Sequence, residues 1–504
     1  MKMKSFISFV IAPLISLYLI FFIELDPGNP LVTATLAIAL LMAVWWITEV
    51  VPLAVTSLIP VVLYPLLGIM SGKAVSLVYF NDVIFLFLGG FILALAMQRW
   101  NLHRRIALRI LAITGMGPGR ILLGFMLATA FLSMWISNTA TTMMMVPILL
   151  SITNKMEETS CDDSVKKYSI GLLLGVAYSA SIGGMATLVG TPPNPLFVSI
   201  FHIYFPEAPE ISFSRWLMFA LPIVLVIFMV AWLYIYLIYK PKSESLTGLD
   251  RQTLRGQLKE IGPMRFEEKV VLVNFIAVAV LWLFRADIDF GRLIIPGWSR
   301  LLPFSNYITD GTVAIFIAIL LFVLPSKTDG STRIMNWKTA EDIPWNIILL
   351  FGGGFALASG FKESGLSGWI GGQLIWVADY HILAVILFIA LLMTFLTELT
   401  SNTATTEMIL PILAGISISA GINPLLLMIP ATLSASMAFM LPVATPPNAI
   451  IFATNRLRVL DMVKAGLFLN LIGAVIITLM TYLLGIWVFD IDLSAMPDWA
   501  IFSG

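Results

Sequence analysis

The chain has 504 residues, 59% hydrophobic and 12% charged, against roughly a quarter charged in an ordinary soluble domain, so its mean hydropathy of +0.96 requires lipid around it. Its 29 basic and 29 acidic residues cancel, which leaves no electrostatic reason to expect nucleic acid as a partner. Cys161 is the single cysteine and His103, His202 and His381 stand far apart, which argues against disulfides, Cys-bound metals and His-bound haem or zinc and leaves oxygen ligands, backbone and helix dipoles.

The pattern is that of an all-α polytopic membrane protein. Apolar stretches near the ~20 residues needed to cross a bilayer fall at 6–23, 32–50, 53–70, 82–98, 168–205, 216–239, 269–284, 307–325, 346–361, 424–456 and 465–489. That predicts about 11 transmembrane helices. No small-residue cleavage site precedes Glu24, so the first stretch reads as a retained helix. Two further apolar stretches, 121–153 and 382–418, are interrupted by polar residues at their centres.

Basic residues set the orientation. With the N-terminus inside and the C-terminus outside, 23 of the 29 Lys and Arg fall on the cytoplasmic side, including Arg99, Arg104, Arg105 and Arg109, Lys155, and a solvated linker over 240–269 that carries Lys242, Arg251 and Arg255. Only Lys73, Arg215, Arg285, Arg292, Arg300 and Lys362 fall outside.

The chain contains a duplication. Ser137-Asn138-Thr139-Ala140-Thr141-Thr142 returns as Ser401-Asn402-Thr403-Ala404-Thr405-Thr406, each followed by a proline (Pro147, Pro411), and Gly89-Gly90-Phe91 returns as Gly353-Gly354-Phe355 at the same spacing. Thr191-Pro192-Pro193-Asn194 returns as Thr445-Pro446-Pro447-Asn448, ten residues closer. The polar stretch 154–167, which has no equally long partner after Ser419, is where those ten belong. A helix over 121–153 would be about 50 Å long, too long for a ~30 Å core, and either half is too short. Each SNT segment is therefore expected at the tip of a re-entrant hairpin. Arg120 and Lys155 flank the first hairpin and place its entry inside. Lys362 before the second, with no cation until Arg456 after it, places that entry outside, which makes an inverted-topology repeat.

Ser, Thr and Asn cap helix N-termini, and proline both breaks a span and suits a helix start. Four helix N-termini are thus expected to converge near the midplane, offering partial positive charge and free N–H groups to an anion. The helix ends before each break offer carbonyl oxygens to an alkali cation. No Lys or Arg lies between Arg120 and Lys155 or between Lys362 and Arg456. A dianion there would lack a side-chain counter-charge, so sodium coupling is expected. Glu398, three residues before Ser401, breaks the symmetry because Met134 stands at the matching position; its role is open between structural hydrogen bonding and ion coupling.

The paired SNT and TPPN motifs, with the stretch Trp46-Ile47-Thr48-Glu49-Val50-Val51-Pro52-Leu53, resemble the divalent-anion/sodium symporter family of dicarboxylate, citrate and sulfate transporters. The resemblance covers nearly the whole chain. It implies a plasma-membrane homodimer that carries a small dicarboxylate with at least two Na⁺ by an elevator motion, and no enzymatic activity. It also implies a division into 1–120 (scaffold), 121–239 (first transport half), 240–380 (linker and scaffold) and 381–504 (second transport half). One sodium site would use Ser133, Ser137, Asn138 and the Gly190 carbonyl; the other would use Thr397, Ser401, Asn402 and the Ala444 carbonyl. Substrate would meet Asn138, Thr139, Asn402 and Thr403, enclosed by Thr191, Pro192, Thr445 and Pro446. A sodium-independent dicarboxylate exchanger, or a sodium-coupled citrate or sulfate transporter, are the alternatives.

Overall fold

The computed structural model describes residues 3–115, 117–159, 162–241, 256, 259–289, 294–328, 332–493 and 495–501. Cys161, Arg292 and residues 242–255 of the predicted linker lie outside them. Among the described residues, six helices are long and apolar enough to cross a membrane: Pro30–Thr48, Asp82–Arg99, Phe213–Tyr239, Trp345–Glu363, Asn402–Ala420 and Val459–Val488. Asn402–Ala420 is the second arm of the stretch 382–418, so that arm is longer than the sequence reading allowed; the other expected spans are present as Met3–Phe22, Phe266–Leu283 and shorter or interrupted helices. The stretch 53–70 divides into Leu53–Thr56 and Ile59–Leu66, because Pro60 has no N–H to give to the carbonyl one turn back. The one sheet among the described residues is a ladder of two residues a side, Ile288–Asp289 against Ile294–Ile295.

The duplication is visible in the order of helices. Asp82–Arg99, Leu102–Thr114, Pro118–Ser133, Asn138–Thr159, Asp163–Gly184, Pro193–Tyr204 and Phe213–Tyr239 are followed by Trp345–Glu363, Leu366–Gln373, Ile382–Thr397, Asn402–Ala420, Pro424–Ser434, Pro446–Phe452 and Val459–Val488. Leu102–Thr114 and Leu366–Gln373 were not expected as elements. The first is amphipathic: Leu102, Leu108 and Leu111 are buried, while its arginines keep it below any span threshold. Arg105 is buried as well, because its guanidinium donates to Glu268 at 2.8 Å and to the Gly262 carbonyl at 2.9 Å.

The ten extra residues of the first repeat are helical. Three extend the end of Asn138–Thr159 and seven extend the start of Asp163–Gly184, relative to Asn402–Ala420 and Pro424–Ser434. Asp162 caps the second of these helices by accepting from Ser164 N at 2.8 Å, and the Glu157 carboxylate accepts from Ser169 Oγ.

The repeats interlock. Pro193–Tyr204 of the first packs against Asn402–Ala420 and Trp345–Glu363 of the second, and Pro446–Phe452 of the second packs against Asn138–Thr159 and Asp163–Gly184 of the first. Fully buried Tyr178 joins them, its hydroxyl donating to the Phe439 carbonyl at 2.8 Å. This exchange brings the two SNT breaks and the two TPPN breaks to one place.

Candidate functional site

Each SNT helix starts at its asparagine, Asn138 or Asn402, directly after the tip serine. In the first repeat the Ser137 hydroxyl caps the helix by accepting from Ala140 N at 3.3 Å; Ser401 makes no such capping bond. The hydroxyl that closes the preceding helix turns onto the asparagine in both repeats. Ser133 Oγ donates to Asn138 Oδ1 at 2.5 Å. Thr397 Oγ1 donates to Asn402 Oδ1 at 2.6 Å and to the Ala435 carbonyl at 2.8 Å. Ser133 and Thr397 are fully buried.

The TPPN asparagines serve the breaks themselves. Asn194 Nδ2 donates to the Thr187 carbonyl at 2.7 Å and to those of Gly184 and Met185 at 3.3 and 3.2 Å. Asn448 Nδ2 donates to the Ala438 and Leu441 carbonyls at 3.1 and 3.0 Å. A broken helix leaves carbonyls without partners, and one amide gathers them in each repeat.

Two glycines let oxygens converge at the first break. A Cβ on Gly190 would stand 2.4 Å from the Gly184 carbonyl oxygen and 2.9 Å from that of Ser133; a Cβ on Gly184 would stand 2.7 Å from Asn138 Oδ1 and 3.0 Å from the Gly190 carbonyl oxygen. The Ser133 and Gly184 carbonyls thus crowd Gly190, and Asn138 Oδ1 and the Gly190 carbonyl crowd Gly184. This is a hard-oxygen set of the kind that holds Na⁺ at an unwound helix.

Glu398 ties the second break to its tip. Its Oε1 accepts from Phe439 N, Met440 N and Asn470 Nδ2 at 2.7, 2.8 and 2.7 Å, and its Oε2 accepts from Leu441 N at 3.0 Å. In the first repeat the matching positions are joined by the Thr187 hydroxyl, which donates to the Met134 carbonyl at 2.5 Å. The same pair of positions is thus bridged by different chemistry, and all of the Glu398 bonds are to protein donors.

All eight predicted substrate residues (Asn138, Thr139, Thr191, Pro192, Asn402, Thr403, Thr445 and Pro446) line one cavity of about 840 Å³, together with Ser137, Gly190, Ser401 and Ala444. Ser133 and Thr397 stand behind it, on the asparagines. Thr191 also reaches Ser436 of the other repeat, hydroxyl to hydroxyl at 3.5 Å. The facing wall, absent from the predicted site, comes from Trp46, Thr48, Glu49, Leu53, Phe87, Phe91 and Ile347. A signal for it existed, because Trp46–Leu53 and the Gly-Gly-Phe triplet were singled out as motifs. Phe91 lines the cavity, whereas its repeat partner Phe355 is fully buried. Among the described residues the lining contains no Lys, Arg or His, and Glu49 is its one charged residue.

One expectation needs correction. The TPPN helices offer little free N–H, since Pro192 and Pro193, like Pro446 and Pro447, carry none. Asn194 N donates to the Thr191 carbonyl and Asn448 N to Thr445 Oγ1.

The family described as "Sodium:sulfate symporter transmembrane region" matches residues 4–491. The chain belongs to this family. It is a multi-pass transporter of the plasma membrane and not an enzyme. Among similar proteins, the "Sodium-dependent dicarboxylate transporter SdcS" of Staphylococcus saprophyticus is 43% identical over 494 residues, covering 97% of this chain and 93% of that one. Its namesake in Staphylococcus aureus (strain bovine RF122 / ET3-1) is 44% identical over 465 residues, covering 91% and 87%. In fold the chain is similar to the Alcanivorax borkumensis YdaH transporter (TM-score 0.57, 13% identity, 84% of this chain and 88% of that one) and to Neisseria gonorrhoeae MtrF (TM-score 0.56, 13% identity, 95% and 98%).

Proposed function

We propose that the protein is a sodium-coupled symporter of divalent anions whose cargo is a C4-dicarboxylate such as succinate, malate or fumarate, carried by elevator-type alternating access. The observation that carries this reading is a cavity lined by both SNT tips and both TPPN breaks without a single cationic side chain. Helix dipoles contribute only about 0.3–2 kcal/mol each, and two of the four helix starts have lost N–H donors to proline. Most of the counter-charge for a dianion must therefore arrive with it, and the oxygen set around Gly190 and its counterpart at Thr397, Asn402 and Ala444 would hold at least two Na⁺. The relatives named for sodium and dicarboxylate favour this reading over exchange without sodium.

Sidedness is supported by which segments bond to one another. Arg456 donates to Glu157 and Thr153 at 2.8 and 3.0 Å, and Trp100 donates to the Ile334 carbonyl at 2.9 Å; all of these were assigned inside. Arg285 binds Asp310 and Glu210, each at 2.5 Å, and Lys362 donates to the Ile203 carbonyl at 2.7 Å; all of these were assigned outside. In that orientation the cavity lies toward the cytoplasmic ends of Pro30–Thr48 and Trp345–Glu363, so the conformation is inward-open. The SNT helix pairs are read as re-entrant hairpins of an inverted repeat. The transport halves 121–239 and 381–504 would move against 1–120 and 240–380 within a homodimer.

The test is uptake of labelled succinate into liposomes under an inward Na⁺ gradient, with excess citrate, sulfate and α-ketoglutarate as competitors. Uptake that needs Na⁺ and yields mainly to dicarboxylates is expected. Equal flux with choline replacing Na⁺ would refute coupling, and stronger competition by sulfate or citrate would reassign the cargo.

A further inference from the structure

Glu407 lies on Asn402–Ala420, five residues past Asn402, and is completely buried. Neither carboxyl oxygen has a hydrogen-bond partner. It packs against Trp345–Glu363 where Gly354 makes room: a Cβ there would stand 2.3 Å from Glu407 Cγ and 2.8 Å from Oε1. The repeat does not require an acid here, since the matching residue is Met143, which is 61% exposed. Under the proposed mechanism this is a surface where a transport half meets the scaffold.

Among the described residues, the surroundings hold no charge to pair with it. Helices Pro30–Thr48, Leu366–Gln373, Ile382–Thr397 and Pro424–Ser434 contain no Asp, Glu, Lys, Arg or His. Trp345–Glu363 carries Lys362 and Glu363, about two turns beyond Gly354, and Lys362 is held by Ile203. Pro193–Tyr204 carries His202 and Tyr204, with Tyr204 Oη donating to the Ala358 carbonyl; Ile375–Asp379 carries Asp379. Glu398, which follows Ile382–Thr397, is occupied by its four donors. Tyr79 faces Glu407, but its hydroxyl donates to the Ser57 carbonyl. An ionised carboxylate without partners is far too costly to bury, so the group must hold a cation. A metal ion needs several converging oxygens; since neither carboxyl oxygen of Glu407 meets a hydrogen-bonding partner and the facing Tyr79 hydroxyl is engaged by Ser57, a proton is the cation that fits.

We propose that Glu407 is a proton-binding site linked to the conformational cycle: the inward-open state requires its carboxyl protonated against Gly354, and the opposite state exposes it to water. The inference rests on the elevator reading. Protons then favour the inward-open state because they bind the exposed carboxyl before it is buried. Rising pH on the outer side slows inward transport.

The experiment measures Na⁺-driven uptake of fumarate, a dianion throughout the range used, from about pH 6 to about pH 9. Wild-type uptake should fall with rising pH, approaching about tenfold per unit at the alkaline end. Glu407→Gln, a mimic of the protonated form, should keep sodium dependence and show a flat profile. Glu407→Met, the residue of the first repeat, serves as a second variant should Gln impair folding. A flat wild-type profile, or a variant that folds and tracks the wild type, overturns the proposal while Na⁺-driven uptake still stands. Loss of sodium dependence in the wild type would instead remove the transport reading beneath it.

Discussion

Replacing Glu398 tests whether the second break is held by that carboxylate. In Glu398→Ala four donors lose their acceptor. Phe439 and Asn470 are fully buried, so their donors bear the full cost of going unpaired, about 1–3 kcal/mol each. Met440 and Leu441 are half-buried and can turn to water. The expected loss is therefore about 2–6 kcal/mol. Glu398→Gln keeps one acceptor oxygen but turns an NH₂ group toward a donor, and weakening charge-assisted bonds to neutral ones costs about 1–3 kcal/mol. Ala444 follows three residues after Leu441, so a loosened break should also weaken the second sodium site. The assay is thermal unfolding of purified protein in NaCl and in choline chloride. Stability should rank wild type, Gln, Ala, and stabilisation by Na⁺ should shrink in the same order. An alanine variant with unchanged melting and an unchanged response to Na⁺ would refute the positioning role.

Gly190→Ala should abolish sodium stabilisation and sodium-driven uptake, because its methyl group would stand 2.4 Å from one oxygen of the cage and 2.9 Å from another; uptake within about twofold of wild type would contradict the cage. Glu267, at the start of Phe266–Leu283, gives a pH test. Burial acts to raise its pKa, but its own backbone N–H and donors from Lys327, Ser326 and Thr328 outweigh it and bring the carboxyl down from 4.5 to about 2. A depressed folded-state pKa gives stability that is complete above the unfolded value and lost as pH falls through the folded one. The melting-temperature gap between wild type and Glu267→Gln should therefore be constant above about pH 5 and shrink toward about pH 2; a gap that does not change with pH would contradict it.

The motifs were legible because they obey local rules. Ser137, Asn138, Ser401 and Asn402 break apolar stretches whose length already forbids one continuous helix, and Pro192 and Pro446 interrupt two more. Proline's missing N–H was equally legible in the sequence, and it lowers the number of helix starts able to donate to an anion. Other features depend on tertiary contact. Glu398 could not be assigned from its neighbours in sequence, because its donors lie 41 to 72 residues away. Leu102–Thr114 resembled a basic loop until Glu268 and two carbonyls took up Arg105. The cavity wall from Trp46 to Leu53 carried a motif but no repeat partner, so symmetry could not place it opposite the tips.

The central claim is that sodium replaces the cationic side chains missing from the cavity. Equilibrium binding of labelled succinate to the purified protein, titrated with Na⁺, tests it without requiring transport. Binding should be negligible in choline chloride and rise steeply, with more than one Na⁺ per succinate, and Asn138→Ala and Asn402→Ala should each reduce that steepness. Succinate bound with equal affinity in the presence and absence of Na⁺ would contradict the account.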